Sequence, residues 1–472
     1  MNDECIDTVL MARINTAETA TVGRPGVRLG QTRLFGLMGE ATWIVTGQIT
    51  AAVGGIVGVP LLAHCLRPED YGRLALGGTI ATLVQQLSFG PVGNAGGRFY
   101  APAVESGQLR DYLLAAGGMV RDSIAAVAVV ASLGLAGLAC SPWHNSVALA
   151  FWSLVFAVLS GISSAFDGVQ SAARQRAIVA WHQGLGVWLR FGCAALLVRM
   201  LGGVEMAMVG FAAASVFVTV SQILFFRRAI LSSPENRPSN DPGAKRRFRG
   251  QMWSYAWPFG SWGLFTWAQV ASDRWALEAF TTTRGVGLYQ ALYQIGYYPI
   301  SMVIGFLTSL IGPILFARVG DGTDEARVKS VHRTIRWLFA GGAVFSAGAV
   351  LVASLIHERL FRLLLPPSYA SLSYLLPMMV LASGLFACGQ IATLRHVLST
   401  SPRSLVVPKI ATAVLGVALN LAGAYEFGVV GVVAAGICFA TVYCVWVLLA
   451  ADKPERPKPP ALSLVLDRLA QS

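Results

Sequence analysis

The chain has 472 residues, 55% of them hydrophobic and only 13% charged, with a formal net charge of +12 and a mean hydropathy of +0.59. A soluble domain carries about a quarter charged residues, so this composition excludes an ordinary soluble enzyme and a nucleic-acid-binding module. The positive charge must be explained by where it lies along the chain.

Many apolar runs reach about 20 residues, the length that crosses roughly 30 Å of hydrocarbon. They do not alternate, so a backbone that must satisfy its own hydrogen bonds in lipid is helical here. In chain order, residues 1–36 are polar and read as a cytoplasmic segment. Residues 1–33 show no apolar h-region, so the first span is expected to act as the insertion signal. Six spans follow near 41–65, 74–97, 120–140, 146–172, 177–200 and 204–226, predicting an N-terminal six-helix lobe over 37–226. A basic cytoplasmic linker, 227–252, carries Arg227, Arg228, Lys245, Arg246, Arg247 and Arg249 around a Pro/Ser/Asn-rich middle. It reads as a flexible topology-enforcing segment or as a site for anionic lipid. Six more spans near 253–280, 286–316, 334–356, 368–394, 404–424 and 428–450 predict a C-terminal lobe over 253–450. A cytoplasmic tail, 451–472, comes last, and its end can form a short amphipathic helix.

Orientation follows from the basic residues. Of 36 Lys and Arg, only Arg67, Arg73, Arg199, Arg284, Arg359 and Arg362 fall on one side, and Arg190 and Arg274 lie within spans. The rest lie on the other side, which places both termini in the cytoplasm. The halves also carry a faint repeat: PEDYGRLAL and RGVGLYQAL each open a helix, with Gly72 aligned to Gly287. An even number of spans separates them, so the repeats are parallel, one of the known transporter arrangements.

Three stretches carry a family resemblance: LLAHCLRPEDYGRLAL (61–76), SYAWPFGSWGLFTWAQVASDRWALEAFTTTRGVGLYQAL (254–292), and LLPPSYASLSYLLPMMVLASGLF (364–386) with the later FGVVGVVAAG (427–436). The chain resembles the polysaccharide flippases, the Wzx-type O-antigen and exopolysaccharide translocases of the multidrug/oligosaccharidyl-lipid/polysaccharide exporter (MOP) superfamily. That resemblance implies an all-α integral membrane protein, with about twelve transmembrane helices in two six-helix lobes around a central cleft. It implies a flippase of the bacterial inner membrane that carries undecaprenyl-pyrophosphate-linked oligosaccharide from the cytoplasmic to the periplasmic leaflet by alternating access. The partners implied are the lipid-linked oligosaccharide, membrane lipids and a polysaccharide polymerase or export machinery, with no nucleic acid and no cofactor.

Ionisable groups within spans are the informative residues, because each costs about 2.5–3.5 kcal/mol at a span's centre on insertion scales. Arg190 and Arg274 are candidate pyrophosphate ligands, since a guanidinium forks bidentately onto phosphate oxygens. The other reading of Arg190 is a residue snorkelling to the outer interface. Arg98 and Arg121 stand near the cytoplasmic ends of the second and third spans and are candidates for capture there. Asp273 and Asp167 are candidate proton-coupling groups. Asp273 and Arg274 point about 100° apart on a helix, so each is expected to find its own partner, with a structural ion pair as the other reading. Gln269 shares the face of Asp273, one turn earlier.

His64, His144 and His182 are isolated and read as packing or interfacial residues. The seven cysteines show no ligand spacing, so no metal site is expected. Trp43, Trp143, Trp253 and Trp337 read as interface anchors, and Gly54 with Gly58 as a close helix contact. Two alternatives stand beside the flippase. One is a multidrug or cation antiporter, which favours carboxylates in its cleft. The other is a membrane polysaccharide polymerase or glycosyltransferase. Its only extracytoplasmic acidic pair would be Glu69–Asp70, which reads better as the cap of a helix.

Overall fold

The computed structural model describes residues 29–232, 241–319, 324–398 and 406–451. The expected tail beyond Ala451, most of the N-terminal segment and the middle of the linker lie outside the described residues. Residues 1–43 and 44–472 form separate units; in the first, the described residues 29–43 are helical. The second contains every other described residue.

Twelve helices are present among the described residues. They are α1 (Leu29–Ala63), α2 (68–105), α3 (Leu109–Ala139), α4 (Val147–Ala172), α5 (Arg176–Leu201) and α6 (Val204–Phe226). Then come α7 (Ala244–Phe280), α8 (283–319), α9 (Glu325–Leu364) and α10 (Leu376–Leu398), the last preceded by a tight 3₁₀ stretch, Pro367–Leu375. The run Val406–Ala451 is broken at Gly428, whose φ of +58° suits glycine, into α11 (406–427) and α12 (429–451). Both α2 and α8 are interrupted by a π-helical turn, Gln85–Phe89 in one and Tyr293–Tyr297 in the other. Such turns are frequent at functional sites.

Local chemistry explains the starts. Pro68 opens α2 without losing a needed N–H, and Glu69 and Asp70 sit in its positive first turn. The Thr282 hydroxyl accepts from the Gly285 N–H at the start of α8, and the Asp324 carboxylate accepts from Ala326 and Arg327 N–H at the start of α9. Eight helical stretches, 410–449 among them, are long and apolar enough to cross a bilayer. The helices outside that set, α2, α7 and α8, pack against one another. A helix facing its fellows and a polar interior does not need lipid-grade hydropathy. Trp43, Trp143, Trp253 and Trp337 are all exposed.

The aligned glycines meet in space. A Cβ added at Gly287 would fall 1.8 Å from the Pro68 carbonyl oxygen, and one at Gly72 would fall 2.1 Å from that of Thr283. Only glycine allows backbones this close. Residues related by a two-fold touch each other only at its axis, so this is where an axis relating the two halves would pass. Around it lies the main apolar cluster, which draws Leu62, Tyr71 and Met208 from the first six helices and Leu277, Leu292 and Tyr369 from the rest. Arg284 reaches Glu69 at 3.4 Å beside the same contact.

One expectation changes. Lys245, Arg246, Arg247 and Arg249 do not belong to a flexible linker, because α7 already begins at Ala244. Arg247 donates to Asp241 at 2.8 Å and to Gln108 at 3.0 Å, and Arg249 pairs with Asp122. These contacts fasten the start of α7 to α3. Asp241 is held below the usual carboxylate range, first by the Gly243 N–H and then by Arg247.

Candidate functional site

Helix α4 is apolar except for one stripe. Ser160, Ser163, Ser164 and Asp167 recur at steps of three and four and so share a face. On α5, Gln183, Gly186 and Arg190 do the same. With Gln85 from the π-turn of α2, His182, and Ser215 and Val218 of α6, they line a cavity of about 170 Å³ among the first six helices. The structure therefore brings Arg190 and Asp167 to one cavity.

Asp167 is held by amides. Gln222 donates to its Oδ1 at 2.6 Å and Gln183 to its Oδ2 at 3.0 Å. Gln222 is itself oriented: its Oε1 accepts from Ser163 Oγ, and its amide also reaches Gln170 at 3.0 Å. Gln85 donates to Ser160 Oγ, and a His182 ring nitrogen lies 3.0 Å from Ser221 Oγ. No cation lies within ion-pair distance of Asp167 among the described residues. Neutral donors solvate the carboxylate without cancelling its charge.

Arg190 is equally uncancelled. Its Nε donates to the Gly186 carbonyl at 3.1 Å, and its guanidinium lies 5.9 Å from the Phe156 ring centre. Its two terminal nitrogens have no hydrogen-bond partner among the described residues. A half-buried guanidinium with its fork open to a polar cavity is suited to a bidentate oxyanion.

Arg274 has a different environment. It is 6% exposed, and Asp273 is 7% exposed. Arg274 Nη1 lies 3.0 Å from Asp273 Oδ1, so the two are paired with each other, contrary to the expectation of separate partners. The 100° offset is overcome because the long arginine side chain folds back toward its neighbour. Arg274 Nε donates to Gln290 at 2.6 Å, Nη1 also reaches the Val270 carbonyl at 2.7 Å, and Tyr289 donates to Asp273 Oδ2 at 2.6 Å. The Tyr293 ring lies 4.5 Å from the guanidinium carbon. This is an enclosed ion pair that ties α7 to α8.

Arg98 and Arg121 join neither centre. Arg98 is exposed on α2, and Arg121 is exposed on α3 with a loose 3.4 Å contact to Asp122. Gln269 does not join Asp273 either; it faces a second cavity, of about 160 Å³, among α7, α10, α11 and α12.

Sequence reasoning missed Gln85, Gln183, Gln222 and the α4 serines, and read His182 as a packing residue. The signal was present as serines at helical spacing ahead of Asp167. Neutral residues attract less notice than charges, although a polar stripe in an apolar span needs the same explanation.

The arrangement defines a multi-pass, all-helical membrane protein with two polar centres inside the bundle, one at Asp167 and Arg190 and one at Asp273 and Arg274. The polysaccharide biosynthesis protein family matches residues 37–317, and the chain belongs to that family. No curated protein matches the sequence. Among solved structures, the chain is similar to the lipid II flippase MurJ in an inward closed conformation, with a TM-score of 0.66 at 9% identity over 87% of each chain. It is similar to a multidrug resistance MATE family transporter of the MOP superfamily in an inward-facing conformation, with a TM-score of 0.59 and 15% identity over 86% of this chain and 94% of that one. A mutant of the Vibrio cholerae MATE transporter VcmN gives a TM-score of 0.57 and 13% identity over 88% and 95%. These likenesses establish the fold: about twelve helices in two lobes around a central cleft.

Proposed function

We propose that this chain is a flippase for undecaprenyl-pyrophosphate-linked oligosaccharide, moving it from the cytoplasmic to the periplasmic leaflet of a bacterial inner membrane during O-antigen, lipopolysaccharide or exopolysaccharide synthesis. The observation that carries this reading is the open guanidinium fork of Arg190 on a polar cavity inside the bundle. Membership of a polysaccharide biosynthesis family and the flippase-like fold support it. In this scheme the lobes 37–226 and 253–450 rock against each other about the Gly72–Gly287 contact, with both termini cytoplasmic. Arg98 and Arg121, exposed on α2 and α3, attract the pyrophosphate from the cytoplasmic side, and Arg190 receives it. Protonation of Asp167, whose charge no cation cancels, couples the cycle to a gradient. Arg274 serves by holding α7 to α8. A polymerase or export complex outside removes the product.

A second reading is a MATE-like cation antiporter, favoured by the Asp167 carboxylate in the same cavity. Reconstituted protein separates the two. Wild type is expected to flip a fluorescent undecaprenyl-pyrophosphate oligosaccharide, Arg190→Gln to lose about tenfold or more of that rate, and Arg246→Ala to retain it. Proton-linked efflux of organic cations with no lipid flipping would overturn the flippase and select the antiporter.

A further inference from the structure

The second cavity has a chemistry unlike the first. It is lined by Trp262, Phe265, Thr266 and Gln269 of α7, Phe386 and Gln390 of α10, Thr412 of α11 and Tyr443 of α12, with no ionisable side chain but the tyrosine. Trp262, Thr266 and Gln269 share one helix face, at steps of four and three. Phe265 and Val270 at its edge are exposed, so the cavity reaches the bundle surface. Its aromatic wall is built rather than incidental. Tyr297, Phe386 and Tyr443 follow one another at ring-centre distances of 6.4 and 5.3 Å, and Phe439 backs Tyr443. Thr393 fixes the Tyr443 hydroxyl at 2.9 Å.

Hydrogen-bonding capacity is left over on this wall. The Gln269 amide and the Gln390 nitrogen have no partner among the described residues, and Gln390 Oε1 has only a long 3.4 Å contact from Tyr443. An inorganic ion is disfavoured by the absence of formal charge, and a purely apolar guest by the two amides. Flat apolar ring faces combined with neutral amides suit a sugar ring, which offers C–H groups on its faces and hydroxyls around its rim. At about 160 Å³, against roughly 10–15 Å³ for one water in the same measure, the cavity has room for a guest of ring size.

We infer that this cavity is a glycan subsite, holding one neutral sugar ring of the transported lipid against Trp262, Phe386 and Tyr443 while Gln269 and Gln390 bond its hydroxyls. This rests on the flippase reading and deepens it. The two halves divide the substrate: the first takes the charged pyrophosphate at Arg190, and the second reads the sugar.

The test compares two probes in proteoliposomes: undecaprenyl pyrophosphate carrying one N-acetylglucosamine, and sugar-free undecaprenyl pyrophosphate. Gln269→Leu with Gln390→Leu keeps the side-chain volume and removes both amides. The double variant is expected to move the sugar-bearing lipid at least tenfold more slowly than wild type, and the sugar-free lipid at an unchanged rate. Equal slowing of both probes, or of neither, would overturn the subsite. If wild type moves neither probe, the flippase reading itself fails. Should the double variant melt well below wild type, Thr266→Val replaces it, with the same selective loss expected at smaller size and the same equal-effect outcome overturning the proposal.

Discussion

The surroundings of Arg190 and of Arg274 differ in what they do with a buried charge. Each half holds one arginine and one aspartate within the bundle, Arg274 and Asp273 buried and Arg190 and Asp167 half-buried. Around Arg274 the charge is cancelled and the pair is held on both sides: Asp273 at 3.0 Å, Gln290 at 2.6 Å and Tyr289 on the carboxylate. Around Arg190 only Nε is engaged, and Asp167 in the same cavity is solvated by amides rather than by a cation. A cancelled pair in low dielectric is rigid and has nothing left to offer a ligand. Charges held apart by neutral donors keep their reach toward an ion or a proton.

This contrast can be broken by experiment. The largest effect is expected from Arg274→Leu, which leaves Asp273 buried without its counter-charge, at about 3–5 kcal/mol. Thermal unfolding in detergent should show a large fall, and adding Asp273→Leu should recover much of it. A single variant that melts normally yet fails to transport would move Arg274 to the substrate side and erase the distinction. Next comes Gly287→Ala. Its Cβ would lie 1.8 Å from the Pro68 oxygen, so α2 and α8 must separate, at about 1–3 kcal/mol for overpacking; Gly72→Ala should match it. Unchanged melting in both would show that the halves do not depend on this contact.

Arg190→Gln sharpens the comparison from the other side. Its melting should lie within about 1 kcal/mol of wild type or above it, because functional sites are commonly held at a cost to stability, even as flipping falls. The smallest effect belongs to Asp241 and Arg247 at the exposed start of α7. Asp241 has a depressed folded-state pKa. Its contribution is therefore present above the ordinary aspartate value of about 3.9 and is lost as pH falls through the folded value. Melting curves of wild type and Asp241→Asn should differ slightly near neutral pH and converge in acid. A difference that grows on acidification would reverse the assigned sign.

Much of the architecture was legible in advance. Each of the twelve expected spans coincides with a helix: lipid forces a long apolar run to satisfy its backbone locally, and α2, α7 and α8, less apolar, pack against one another. The Gly72–Gly287 alignment was legible too, although only the coordinates reveal that the paired residues touch. The basic cluster at 245–249 was misplaced into a linker because charge density resembles a loop, whereas its arginines are held on a helix by Asp241, Gln108 and Asp122. The candidate site was half legible. Arg190 and Asp167 stood out as charges within apolar runs, but nothing in their spacing, on different helices, said that they share a cavity.

The sequence by itself determined the class of protein, the helix count and the residues carrying charge into the membrane. These are properties of single segments, set by transfer free energy and backbone hydrogen bonding. Tertiary structure alone decided which charge is cancelled and which is left open. That depends on side chains meeting from different helices: Tyr289 and Gln290 around one arginine, and Ser160, Gln183 and Gln222 around the cavity of the other. A charge's fate in a low-dielectric interior is set by its neighbours, and neighbours are a property of packing.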